Sequence, residues 1–111
     1  SALKNVKSGS VTYAIKDTDI EGVHVTKDYY MGMEDKKIIS CVKDKIQALK
    51  DILAYLIDDS SSSLTVLIGK DVTEQEESEV TSFIEKKYGD KVEAMIQRGN
   101  QPVYSFLVGV E

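Results

Sequence analysis

The stretch from Ser63 to Gln97 constrains the fold more than any other, because it reads strand, turn, helix, strand. Leu64, Thr65, Val66, Leu67 and Ile68 form a nearly continuous apolar, β-branched run, the pattern of a strand covered on both faces. Gly69 to Val72 turn the chain. Thr73 stands three residues before Glu76, a capping box that satisfies two amides left unpaired where a helix begins. Val80, Phe83, Ile84 and Tyr88 follow at helical spacing, and Gly89 is placed to end the helix in a left-handed conformation. Val92, Ala94 and Ile96 then alternate with Glu93, Met95 and Gln97, which predicts a second strand. Two strands joined through a helix are expected to be parallel, with a right-handed crossover.

The rest of the chain is expected to pack on this unit. Residues 1–9 read as a polar lead-in. Val11, Tyr13 and Ile15 predict a strand with one face inward, broken by Asp17-Thr18-Asp19. Ile20 to Gly22 read as a turn, and Val23-His24-Val25 as a short edge strand. Tyr30 to Met33 form one arm of a hairpin, Glu34-Asp35-Lys36 its bend, and Lys37-Ile38-Ile39 the start of its return. A helix follows, capped by Asp44 with Gln47 completing a variant capping box. Its apolar stripe is Ile46, Leu49, Leu53, Leu56 and Ile57 with Ile52 beside it, and Lys45, Lys50 and Asp51 fall on the wet side. Asp58 to Ser63 make a flexible link. Arg98 to Pro102 bend the chain into a last strand, Val103–Val110, antiparallel to the one before it. Tyr104, Phe106, Val108 and Val110 make the better core face of that strand.

This order predicts an α+β two-layer sandwich: a mixed, mainly antiparallel sheet of five or six strands with two helices on one face. The 111 residues suffice for one domain with a modest core, expected over residues 3–111. No stretch approaches the ~18 apolar residues of a membrane span, and no signal peptide is read. The start at Ser1-Ala2-Leu3 reads as a boundary, so the chain is expected to be a piece of a longer protein. A net charge of −5 argues against nucleic acid as a partner, since phosphate backbones need a basic patch. The single cysteine, Cys41, cannot form an internal disulfide and fits a reducing cytoplasm.

Residue chemistry alone points to no active site. His24, the only histidine, has no Cys or His at metal-ligand spacing and reads as a solvent-facing residue. Cys41 reads as a small buried cysteine rather than a nucleophile. Gly69-Lys70 joins a strand to a helix start, but the P-loop spacing is missing. Asp71, Glu74, Glu76, Glu77 and Glu79 would repel an anion there while matching the helix dipole. Tyr29 and Tyr30 are candidate interface anchors, because tyrosine is enriched at binding hot spots.

One resemblance adds to this reading. Ile68-Gly69-Lys70-Asp71-Val72-Thr73-Glu74-Gln75-Glu76, then Glu85-Lys86-Lys87-Tyr88, then Gly99-Asn100-Gln101-Pro102-Val103-Tyr104 and the closing Val110-Glu111 resemble the C-terminal end of the A-type fatty acid kinase subunits, a dihydroxyacetone-kinase-like family. Ser8-Gly9-Ser10-Val11-Thr12-Tyr13-Ala14 and Tyr30-Met31-Gly32-Met33 are similar to that family's N-terminal blocks of this region. Two departures fall in turns: the hairpin bend has Glu34-Asp35-Lys36 where the family has D-G-K, and Asn100 replaces a second glycine. The resemblance implies a C-terminal fragment of a multidomain parent. That parent would use ATP and magnesium in a kinase domain to phosphorylate a fatty acid held by a separate carrier subunit. The acyl phosphate formed would feed phospholipid synthesis in a bacterial cytoplasm. A homodimer through the parent is a further expectation. No catalytic, cofactor or metal residue is implied for this chain. The expected role is docking or positioning the carrier subunit. The alternative is a sensing module that binds a small molecule or acyl chain between sheet and helices. A third possibility, an independent enzyme, would need Cys41, His24 and a carboxylate in one cleft.

Overall fold

In the computed structural model of the chain, residues 6–111 are described; the first part of the expected lead-in lies outside them. The elements run β1 (Lys7–Tyr13), β2 (Thr18–Ile20), β3 (Val23–Val25), β4 (Tyr30–Glu34), β5 (Lys37–Val42), α1 (Lys45–Leu56), β6 (Ser63–Ile68), α2 (Glu74–Tyr88), β7 (Glu93–Arg98) and β8 (Tyr104–Val110). Six strands form one sheet in the order β5-β4-β1-β8-β6-β7, and β2 and β3 pair in a separate two-stranded ribbon. Among the described strands only β6 and β7 are parallel, as expected for strands joined through a helix. The fold is α+β, with a mixed, mainly antiparallel sheet.

Both helices lie on one side of the sheet. Val11, Leu64, Val66, Ile68, Phe106, Val108 and Val110 occupy matching register positions on that side. They form one core with Leu49, Ile52, Leu53 and Leu56 of α1 and Val80 and Ile84 of α2. Each is at most 5% exposed. The close approach of α1 to β4 requires Gly32, where an added Cβ would sit 3.0 Å from the Ala48 carbonyl oxygen. α2 starts on the capping box: Thr73 Oγ1 accepts from the Glu76 N–H, and Glu76 Oε1 accepts from the Thr73 N–H.

Several expectations are corrected. β6 is covered on one face only: Leu64, Val66 and Ile68 are buried, while Thr65 is exposed and Leu67 half-buried. β8 does not pair with β7. It lies between β1 and β6, so β6 separates the last two strands. Residues 98–103 wrap the end of β6, where the Ile68 carbonyl accepts from the Gly99 and Asn100 N–H groups. Thr18–Ile20, read as break and turn, is a strand because it has Val23–Val25 to pair with. Lys7–Gly9, read as lead-in, belongs to β1 and pairs with Val108–Val110. Tyr13 and Ile15 are 48% and 76% exposed, because β1 outruns the helical layer at Tyr13 and ends there. Ala94 is exposed, since β7 is an edge strand. Gly89 has φ −57°, so α2 ends without a left-handed residue. At α1, Asp44 accepts from the Ile46 N–H, but Gln47 donates to Asp51 instead of closing a capping box. Asp51 is not on the wet side, because it also accepts from the half-buried Ser40 hydroxyl. In the two glycine-depleted turns, Asp35 (φ 53°) and Asn100 (φ 54°) adopt the left-handed conformation themselves.

Candidate interaction surface

The second face of the sheet carries no helical layer. Alternation and register bring Cys41, Met31, Ser10, Leu107, Leu67 and Gln97 across it from β5 to β7, with Met33, Thr12, Thr65 and Met95 in adjacent rows. All three methionines of the chain are on this face. Met31, Met33, Ile38, Leu67 and Leu107 are half-buried, and Met95 is 58% exposed. Thioether side chains adapt to irregular partners, and methionine is enriched at protein interfaces.

At one end of the sheet this face runs into an apolar cleft of about 340 Å³. Ala14, Ile20, Val25 and Met31 line it, the ribbon β2–β3 forms one wall, and Ile15 and Val103 stand on its rim. Ala14 and Val25 are buried, whereas Ile15 and Val103 are 76% and 73% exposed. Val103 is not in the last strand as expected. It has φ 71°, and the Tyr104 N–H donates to the Pro102 carbonyl across it at 2.7 Å, which makes it the centre of a γ-turn. Such a conformation is strained for a β-branched residue. The Thr12 hydroxyl donates to the Val103 carbonyl at 2.8 Å and helps to hold it. The pairing of β1 with β8 is irregular here, with Val11 opposite Phe106 but Thr12 opposite Tyr104. Ser105 is therefore the extra residue. Tyr104 leaves the core face assigned to it, is 39% exposed, and shares a groove with Ser10 and Leu107.

Tyr30 and Tyr29 sit beside this end. The Tyr30 ring lies 6.0 Å from that of Tyr13, with the Lys45 ammonium 5.6 Å above it. The Lys43 ammonium lies 6.0 Å over the Tyr29 ring. Both tyrosines are half-buried. Lys45 is not on the wet side: its side chain is 13% exposed and meets Asp71 at 3.2 Å and Glu76 at 3.4 Å. Ser105, buried beneath, donates to Asp71 at 2.7 Å. Burial alone would push the Lys45 pKa down, but the hydrogen bond and charge of Asp71 outweigh it and the net shift is upward. For Asp71, burial pushes upward and is outweighed by the hydrogen bonds from Ser105 and Lys45, so its carboxyl lies below the usual range. This network ties the loop before α2 to α1 and β8. Its groups are all partnered, as befits a structural clamp.

The acidic start of α2 is held from two sides. Lys45 takes Asp71 and Glu76, and Arg98 pairs with Glu77 at 2.9 Å while donating to the Gly69 and Val72 carbonyls. His24 and Asp19 are 3.0 Å apart on the exposed ribbon. Cys41 is half-buried on β5, in the other sheet, opposite Met31. Among the described residues no group of three or more His, Cys, Asp or Glu side chains could hold a metal ion. None of the described helices is long and apolar enough to cross a membrane.

Geometry thus defines a two-layer α+β domain with one sheet face and one apolar end open to contact. The family of FakA-like C-terminal domains, from the A-type subunits of fatty acid kinase, matches residues 1–111, and the chain belongs to it. It is 39% identical over 110 residues to an uncharacterized protein of Staphylococcus aureus strain MRSA252, covering 99% of this chain and 20% of that protein. Uncharacterized proteins of strain USA300 and of the bovine strain RF122 are 38% and 37% identical over the same coverage. The chain spans about a fifth of the length of these curated relatives.

Proposed function

We propose that this domain docks the fatty-acid-carrier subunit of a fatty acid kinase and positions it for a kinase domain elsewhere in the parent protein. The observation that carries the reading is the sheet face without a helical layer, bearing Met31, Met33, Leu67, Met95 and Leu107. Six strands ~4.8 Å apart and ~6 residues long give a plan area of roughly 500 Å². With the apolar end added, that approaches the ~800 Å² each partner contributes to a standard interface. Tyr29 and Tyr30 extend the surface at the same end as polar-tipped anchors. The domain's contribution to acyl phosphate formation is then proximity: it holds the carrier's cargo near a phosphate donor, ATP with magnesium, bound by other parts of the parent. A cytoplasmic site of action follows from the same reading.

Calorimetry of this chain against the fatty-acid-loaded carrier subunit tests the proposal. Saturable binding that Met33→Asp removes, with the fold intact by circular dichroism, is the expected result. A folded chain that does not bind the carrier overturns it.

A further inference from the structure

We infer that the cleft beneath the β2–β3 ribbon binds a single-chain anionic amphiphile, its apolar tail on Ala14, Ile20, Val25 and Met31 and its carboxylate at Lys16. The inference stands apart from carrier docking. It also places the ligand away from the space between sheet and helices, which core side chains fill.

The tail follows from the lining. Nearly all of the cleft wall is apolar, and its floor includes two residues that the fold already removes from water, Ala14 at 3% and Val25 at 1% exposure. At about 340 Å³ the cleft is at the small end of ligand pockets, which run from ~300 Å³ upward. Taking each methylene as about the ~30 Å³ of a water, roughly ten fit. Covering this surface releases water from apolar contact, which is the driving force for a hydrocarbon tail.

The head group follows from charge. Lys16 lines the cleft, and no carboxylate lies within 4.0 Å of its ammonium among the described residues. Nearby acids are engaged elsewhere: Asp17 accepts from the Lys27 N–H at 2.7 Å, and Asp19 is paired with His24. An anion at the rim therefore meets an ammonium with no competing partner. A cationic head would meet the same ammonium and be repelled. The chain's net charge of −5 disfavours approach to an anionic membrane, whereas a free carboxylate in solution feels Lys16 locally. The ligand is thus a free single-chain carboxylate. Its tail would brace the ribbon, whose two three-residue strands form a separate sheet and are marginal by themselves.

The test is an NMR titration of the ¹⁵N-labelled chain with sodium decanoate below its micelle concentration. Decanol, decyltrimethylammonium and vesicles of anionic phospholipid serve as comparison probes. Saturable shifts confined to residues 13–31 and 103, with slowed amide exchange in the ribbon, are expected for decanoate. Lys16→Glu should weaken decanoate about fivefold and decanol by less than about twofold. Ala14→Leu, which fills the cleft, should remove both. Because Lys16 is exposed, the charge variant keeps the fold, and unchanged signals outside the cleft verify it. Decanoate without saturable shifts in this region, equal losses for decanoate and decanol in Lys16→Glu, tighter binding of the cationic amphiphile, or shifts with vesicles alone would each overturn the inference.

Discussion

The two faces of the one sheet are built by alternate residues of the same strands, yet they differ in kind. The helix-covered face is Val, Leu, Ile and Phe, rigid side chains that lose little entropy when packed and fill a core. The open face is Met, Ser, Thr and Leu, half-buried and soft. Burial as complete as that of Val66 is absent there: Leu67 has the apolar character of its neighbours Val66 and Ile68 but no layer above it. The contrast teaches that stability is concentrated on one face, leaving the other free to be selected for contact.

The largest expected effect lies on the covered face. Phe106 is fully buried, and Phe106→Ala should cost about 3–5 kcal/mol through lost transfer energy and the cavity left behind. In a domain of this size each kcal/mol moves Tm by about 4–8 °C, so thermal unfolding resolves it easily. Leu107→Ser, one residue away on the open face, should cost less than about 1 kcal/mol. Equal losses would break the comparison.

The Ser105–Asp71–Lys45 clamp should give a smaller effect with a defined pH dependence. Asp71 has a depressed pKa in the fold. Its contribution is therefore present above the ordinary carboxylate value of 3.8 and lost as pH falls through the lower folded value. Lys45 is raised above 10.5, so its contribution holds below that value and is lost as pH rises through the folded one. Between those limits the pair gives a flat profile. Asp71→Asn should lower the urea midpoint at neutral pH and flatten the acid limb below about pH 4. An unchanged acid limb in that variant would remove the clamp from the account.

Val103 offers an effect of opposite sign. Its positive φ stores on the order of 1–3 kcal/mol, and Val103→Gly relieves that strain while adding about 0.4–1 kcal/mol of unfolded-chain entropy. The variant should be as stable as the parent or up to about 1 kcal/mol more stable, read from denaturant unfolding. If it also binds the carrier less well, the strained turn presents that side chain for contact. A clear loss of stability would show instead that Val103 packs as a core residue does.

How much of this was legible in the sequence depends on range. Thr73 with Glu76, the parallel β6–β7 pair, and the turns at Asp35 and Asn100 rest on neighbouring residues, and their local chemistry predicts them. The place of β8 between β1 and β6 rests on contacts across almost the whole chain, for which periodicity carries no signal. Lys45 read as solvent-facing because its partners, Asp71 and Glu76, come from a distant loop and helix. The open face was half legible. The continuous run in β6 announced an apolar second face correctly, but not that nothing in the described chain covers it. The cleft was invisible, because residues 13–16, the ribbon, Met31 and Val103 meet only in the folded chain. Tyr29 and Tyr30 could be singled out by residue type, while their neighbours Ile15 and Val103 could not, since an isolated aliphatic residue carries no sign of exposure.

The smallest stability effect is also the sharpest test of what the open face is for. Met33 is half-buried between Ser10 and Ile38, with no helix above it. Met33→Ser should change unfolding free energy by no more than about 0.5 kcal/mol, as for other surface positions. At a central contact position the same change should weaken carrier binding by a factor of about five or more, because truncating an interface anchor costs upward of ~1 kcal/mol. Stability and binding must therefore separate. If Met33→Ser unfolds the chain as readily as a core truncation does, the face is part of the core and the contrast between the two sides fails. If it leaves both stability and carrier binding unchanged, the contrast stands but the carrier docks elsewhere, and Tyr29 and Tyr30 at the sheet's end become the next positions to truncate.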